Sequence, residues 1–359
     1  MLNRQKAKVI KIVSERPGAQ EILVSVEGKE VRAVNYPDLT GPVFPGEEVL
    51  INTTAVDLEL GTGGMHFVIC NLSNPVQQTE PTPGHIMKLR YTPLQEAVLS
   101  VEEEASPDHA KIGEFKSLGG MPVVCCELHS QIAGVAAALK VANHRMRIAY
   151  IMTDGAALPI GFSRLASELK TKNLLDTTIT CGQAFGGDIE AVNLYTALIA
   201  AKEVVKADAA IVCQGPGNAG TNVKFGFSGI EQGEAVNAAR ILGGMPVVVV
   251  RISFADKRER HYGVSHHTQT ILNDVVLTPA YVALPVLSGE KARIVEKQMK
   301  ALSPRASHNI RVVDGEPGLA ELSRKRIKVT TMGRSIADDR EFFLAASAGG
   351  VLAAELLRK

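Results

Sequence analysis

LGGMPVV at residues 118–124 returns letter for letter at residues 242–248, and each copy leads toward a His-(Ser/Thr)-Gln triplet. The triplets are His129-Ser130-Gln131 and His267-Thr268-Gln269. A repeat at so long a spacing marks duplicated structural units. Its local chemistry is that of a helix-to-strand turn. Gly119-Gly120 and Gly243-Gly244 suit the left-handed conformation that closes a helix. Pro122 and Pro246 fall where a strand begins and no ladder donor is yet required. Each copy therefore reads as a helix ending at the glycine pair, a strand from Met-Pro, and a helix opened by the His triplet. Ser130 and Thr268 are its candidate N-caps.

Outward from the repeat, short apolar runs alternate with helical periodicity. The runs are HIMKLRY, MPVVCCE, RIAYIM, TTITC, AAIVC, MPVVVVRIS, PAYVAL and NIRVV. The helical patterns are IAGVAAALKVAN, FSRLASELKTK, IEAVNLYTALIAAKEVV, IEQGEAVNAARIL and EFFLAASAGGVLAAELL. Val- and Ile-rich strands separated by helices predict an α/β domain over residues 85–359, layered around a mostly parallel sheet. Its diverged repeats lie around 86–160 and 208–287. Residues 1–72 read differently: KVIKIV, EILVSV, EVRAV, EVLINTTAV and HFVICNL are short strands between Gly and Pro turns, which predicts a small β-barrel-like domain. The Pro-rich stretch 73–84 reads as a linker.

Composition narrows the function classes. At 359 residues with 45% hydrophobic side chains the chain can bury more than one core, and 4% aromatics with no Trp leave that core to Val, Leu, Ile and Ala. A net charge of +1 supplies no field for nucleic acid. No apolar run reaches the roughly 18 residues that span a bilayer, and the N-terminal segment interleaves basic with apolar residues, so neither a membrane anchor nor a signal peptide is expected. Five cysteines, two of them adjacent at Cys125 and Cys126, fit reduced thiols in the cytoplasm.

In an open α/β sheet, ligands bind beyond the carboxyl ends of the strands. MTDGAALPIGF, TCGQAFGGD and VCQGPGNAGTN follow strands there and give way to helices. Gly215, Gly217, Asn218, Gly220 and Thr221 form a loop whose backbone could cradle an anion. GPGNAG has the letters of GxGxxG, but its Pro and the missing acidic residue about 20 positions on argue against a dinucleotide site. The second copy carries an insertion, RISFADKRERHYGVSH, where Lys257, Arg258 and Arg260 could clamp a carboxylate or phosphate. The alternative is an ordinary solvated loop. His129, close to Glu127, and His267, with His261 and His266 nearby, are candidate acids, bases or ligands, and Asp154 and Asp188 could complete a site. Helix capping and packing is the competing account of the His triplets. Cys213 and Cys181 end strands and are candidate nucleophiles or plain core residues. The spacings assign no cofactor and no particular metal.

NTTAVDLELGTGGMHFVI, MKLRYTPLQ and the terminal TMGRSIADDREFFLAASAGG together resemble an uncharacterised family of Gram-positive bacterial proteins classed as a domain of unknown function. The resemblance covers nearly the whole chain and implies a cytoplasmic bacterial protein, with no activity, cofactor or catalytic residue attached. In the terminal segment Asp338 and Asp339 would cap the last helix, Arg334 would reach a ligand or an acidic neighbour, and the small residues AASAGG would allow close helix packing within the chain or in a homo-oligomer.

The sequence thus predicts an enzyme acting on a small anionic metabolite in a cleft between two duplicated α/β halves. The Gly loop and Arg258/Arg260 would hold the anion, and His129 and His267 would serve as acid or base. A noncatalytic metabolite-binding or regulatory protein would keep the cleft without a convergent acid/base pair. A structural or assembly protein would show an apolar surface patch in its place.

Overall fold

A computed structural model describes residues 2–60, 63–75 and 82–358. Five strands close the N-terminal barrel: β1 (Arg4–Arg16), β2 (Ala19–Val26), β3 (Lys29–Asn35), β4 (Glu48–Asn52) and β5 (His66–Asn71), in the order β1-β2-β3-β5-β4. Two bulges, between Val9 and Lys11 and between Ile12 and Ser14, bend the long β1 around the barrel. Inward residues such as Val9, Ile22, Val24, Ala33, Val49 and Ile51 fill it. The segment EVLINTTAV is a strand only to Asn52, whose side chain accepts the Thr54 amide (3.0 Å) and starts a helical turn over Thr54–Asp57. Part of the linker, residues 76–81, lies outside the described residues.

HIMKLRY does not join the main sheet. Its strand β6 (Ile86–Lys88) pairs with β7 (Glu96–Val98) in a separate hairpin. The positive φ of Leu89 (51°) and Tyr91 (61°) turns the chain at once, and buried Lys88 reaches the carbonyls of Gly182 and Ala191. The main sheet has eight parallel strands. They are β8 (Pro122–Cys125), β9 (Ile148–Thr153), β10 (Thr177–Cys181), β11 (Ile189–Ala191), β12 (Ala209–Gln214) and β13 (Met245–Val249), a small hairpin of β14 (Ile252–Ser253) and β15 (Gly263–Val264) standing apart, then β16 (Tyr281–Pro285) and β17 (Asn309–Val313). The order is β11-β10-β9-β12-β8-β13-β16-β17. β11 replaces the start of a supposed long helix because Asn193 caps residues Leu194–Glu203 through a capping box with Thr196, fixing the helix start after IEA.

The two copies of the repeat lie side by side. Met245 pairs with Pro122 and Val248 with Cys125 across neighbouring β8 and β13. The turns lock together as well: Leu118 N–H donates to Leu242 O (2.8 Å) and Gly120 N–H to Gly243 O (2.9 Å). Gly119, Gly120 and Gly243 take positive φ. Only the second copy follows a helix directly, Glu231–Ile241; the helix before the first, His109–Gly113, stops short of it.

Helices cover both faces of the sheet. On one face, Gln131–Ala142, Arg164–Thr171, Glu316–Arg324 and Arg340–Leu356 share a core with Tyr150, Ile148 and Val249. On the other, Leu194–Glu203, Glu231–Ile241 and Gly289–Lys300 pack on Val123, Ile151 and Val248. The small residues of the last helix are used within the chain: a Cβ at Gly350 would lie 2.4 Å from Val135 O, and one at Gly134 would lie 3.0 Å from Ala346 Cβ. Asp339 does not cap that helix through its side chain, because its carboxylate accepts Ser253 Oγ (2.8 Å) and Arg334 Nε (2.9 Å). The barrel docks through Arg16, which donates to the carbonyls of Gly161 (2.7 Å) and Phe162 (3.2 Å). Among the described residues no helix is long and apolar enough to cross a membrane.

Candidate functional site

After β8 the chain winds outward through β9, β10 and β11, returns at β12 between β9 and β8, and then proceeds to β13 on the other side. The loops leaving β8, β12 and β13 therefore part from one another at their carboxyl ends, the place where open α/β sheets bind ligands. Two adjoining cavities occupy this edge. The smaller, about 160 Å³, is lined by Asn218, Gly220, Arg251, Arg258, Arg260, His261, His267 and Met332. The larger, about 800 Å³, is lined by His129, Ser163, Arg164, Gly217, Asn218 and Met332 from the α/β domain and by Arg16, Glu21 and Arg32 from the barrel. Asn218 and Met332 belong to both, so His129 and His267 face adjoining spaces. The larger cleft is walled by the barrel and not by the two repeats alone, which the sequence reading did not foresee.

Arg251 lines the smaller cavity and Glu127 is bonded to it, each five residues beyond its repeat proline. Both are buried, and Arg251 Nη1 donates to Glu127 Oε1 (3.0 Å). The same oxygen meets His267 Nδ1 at 2.7 Å. Burial alone would raise the Glu127 pKa, but the Arg251 charge and the His267 hydrogen bond outweigh it and hold the carboxyl below its ordinary range. Phe227 stacks face to face on the His267 ring, centroids 3.8 Å apart. Buried His261 joins Ser265 Oγ through Nδ1 (2.8 Å). Burial, aided by Arg251 and Arg258, lowers its pKa to about 3, and burial with His267 lowers that of His266 to about 4.

The insertion is less free than its charges suggest. Arg258 is clasped by Asp256 through two hydrogen bonds (2.9 and 2.7 Å), whereas Arg260 reaches the cavity without a carboxylate partner among the described residues. Arg334 reaches two acidic neighbours, Asp339 and Asp256 (3.5 Å). Neither repeat histidine triplet is a simple cap. Ser130 makes no side-chain cap bond, and Gln131 holds the preceding loop by accepting the Glu127 and Leu128 amides. In the second triplet Thr268 accepts the Arg251 amide, and Ser265 caps the helix.

His129 has its own partners. Its Nε2 lies 2.6 Å from Ser163 Oγ and its Nδ1 3.1 Å from Tyr150 Oη. Ser163 sits there because it is the N-cap of the helix Arg164–Thr171, accepting the Ala166 amide (2.9 Å). Burial lowers the His129 pKa to about 4, so the ring is neutral at pH 7. Close by, the barrel's buried Glu21 is shared by Arg16, Arg32 and Arg164. One carboxylate facing three guanidiniums leaves the rim of the cleft positive.

The remaining candidates take varied places. Asn218 Oδ1 accepts Ser228 Oγ (2.7 Å) and the Gly229 amide (3.0 Å), and Thr221 Oγ1 donates to Gly226 O, so both brace the glycine loop from within. Gly215 is required by contact, since a Cβ there would lie 2.3 Å from Ala157 O. Asp154 accepts the Gln183 amide at the end of β9. Asp188 immediately precedes β11 beside Thr178 at the start of β10, the amino edge of the sheet, where it pairs with Lys170; it is at the wrong edge to join the histidines. Cys213 and Cys181 are buried in the cores with thiol pKa values pushed up by burial, which suits packing and not nucleophilic attack.

Sequence reasoning passed over Ser163, Tyr150, Arg251, Glu21 and Glu231. The last bonds to Thr153 Oγ1, and burial raises its pKa to about 7. A signal was present for one of them: aligning the two copies of LGGMPVV sets Glu127 against Arg251, opposite charges at matching positions past the repeated heptapeptide. No curated protein and no solved structure matches the chain. A family match spans residues 32–350, and the chain belongs to that family, described as protein of unknown function (DUF3866).

Proposed function

We propose that the protein is an enzyme that hydrolyses or transfers the acyl group of a small anionic ester or thioester in the cleft between the barrel and the strand ends. The observation that carries this reading is the 2.6 Å contact of His129 Nε2 with Ser163 Oγ on the wall of that cleft. With the Ser163 hydroxyl donating to Nε2, Nδ1–H donates to Tyr150 Oη, which fixes the tautomer a general base requires. His129 takes the proton as Ser163 Oγ attacks the carbonyl carbon, and returns it to the leaving group. The Arg164 and Leu165 amides, ahead of the Ala166 amide that Ser163 Oγ caps, have no intrahelical acceptor and lie next to Ser163 in the chain, where they can donate to the developing oxyanion. Arg32, Arg164 and Lys328 on the rim favour a substrate bearing carboxylate or phosphate.

The test is turnover of a panel of small carboxylate- and phosphate-bearing esters and thioesters by the purified protein. Hydrolysis that disappears in Ser163→Ala, with the fold retained by circular dichroism, supports the reading. Native mass spectrometry that finds a retained anion without any turnover would favour a metabolite-binding protein.

A further inference from the structure

Beside the smaller cavity, which His261 and His267 line, is a cluster that acyl chemistry does not use. His261, His266 and His267 bring one ligand nitrogen each to within 4.8 Å of one another. Neutral imidazole is a strong ligand for first-row transition metals. Two of the rings are already oriented from behind. His267 Nδ1 meets the carboxylate of Glu127, and His261 Nδ1 meets the hydroxyl of Ser265, so Nε2 is the nitrogen each ring has left to offer. A carboxylate behind a histidine is the usual outer partner of a metal-bound imidazole, fixing its tautomer and raising its basicity. Phe227 stacked on His267 restricts that ring further.

His266 supplies the independent sign. Its Nε2 is buried yet has no hydrogen-bond partner. A buried imidazole nitrogen without a partner carries a desolvation cost that a bound cation would remove. The surroundings also suit a cation that keeps an open position. Arg260 and the Asp256-bound Arg258 enter the same small cavity, opposite in charge to an anionic group that would complete the coordination. Glu127 and Asp256 contribute the negative charge that offsets the metal among these arginines.

We infer that His261, His266 and His267 form a three-histidine site for a divalent transition metal of the zinc class, with Glu127 as the outer partner of His267 and one coordination position open to a small anion. Three histidines with a fourth position free is the arrangement of a zinc site that binds a water or ligand oxygen. The inference stands apart from the Ser163–His129 chemistry, since neither of those residues is a ligand.

The experiment is equilibrium dialysis of the chelator-treated full chain against zinc, with stoichiometry measured by elemental mass spectrometry. Wild type and His129→Ala are expected to bind one zinc per chain with equal affinity. His261→Ala, His266→Ala and His267→Ala should each weaken binding by more than about 100-fold, and Ser265→Ala, which removes the outer partner of His261 together with the cap on the His267 amide but no ligand, by about 10-fold. Partly buried His266 is the position at which alanine is best tolerated by the fold, so His266→Ala with a wild-type circular dichroism spectrum keeps the test decisive. Failure of wild type to bind zinc at micromolar concentration would overturn the inference. So would unchanged binding in a folded His266→Ala protein.

Discussion

Glu127 and Arg251 occupy the same place in the two copies of the repeat and meet as a buried ion pair, 3.0 Å apart, at the ends of neighbouring parallel strands. The two copies of LGGMPVV run as neighbouring strands, and the residues three positions past each copy carry opposite charge. The pair joins the halves and orients His267. Its contribution is specificity of arrangement more than stability, because taking two charges out of water offsets most of their attraction.

Removing one partner should be costly. Arg251→Met leaves the Glu127 carboxylate buried with only His267 beside it, and an expected loss of about 3–5 kcal/mol follows. Adding Glu127→Gln should recover part of that loss, since no buried charge is then left unpaired. Urea denaturation of the single and double variants measures both; additive losses in the double variant would show that the two side chains act separately.

Acid should weaken the fold through His129. Its folded pKa is lowered to about 4, against about 6.5 for a free histidine. Between those values the unfolded chain binds a proton that the folded chain does not, so stability is full above pH 6.5 and falls as pH drops toward 4. The slope from this one group approaches about 1.4 kcal/mol per pH unit. His129→Gln should flatten the curve over that window relative to wild type. Identical slopes in the two proteins would mean that His129 takes up its proton as readily folded as unfolded.

The junction of barrel and α/β domain is close-packed. A Cβ on Gly161 would lie 2.7 Å from the backbone of Gly18, so Gly161→Ala cannot be absorbed by a side-chain adjustment. An overpacking loss of about 1–3 kcal/mol is expected. Arg16→Ala should act in the same direction by removing the bonds to Gly161 and Phe162. Limited proteolysis of both variants should show faster cutting than in wild type; a wild-type cleavage rate would contradict the tight junction.

The architecture was legible because it rests on local rules. Val- and Ile-rich runs buried on both faces announced the parallel sheet, and alternation between Gly and Pro turns announced the barrel. What misled was local too: IEA reads as the first turn of a helix until Asn193 is seen to cap the helix behind it, and HIMKLRY has the letters of a core strand but turns away after Lys88. The histidines and the basic loop were visible from residue type and position. Their partners were not. Ser163 looks like an ordinary N-cap, Tyr150 like a core aromatic, and the three guanidiniums around Glu21 include Arg164 from a segment 143 residues away. Asp188 shows the converse, a plausible acid at a strand end that turns out to be the other end.

The most direct test of the proposed chemistry is the rate at which a small fluorophosphonate modifies Ser163, followed by intact mass and peptide mapping, in wild type and His129→Gln. The account predicts a single adduct on Ser163 in wild type and a rate lower by about 10²–10⁴-fold without the base. A wild-type protein that stays unmodified, or equal rates in the two proteins, would contradict it.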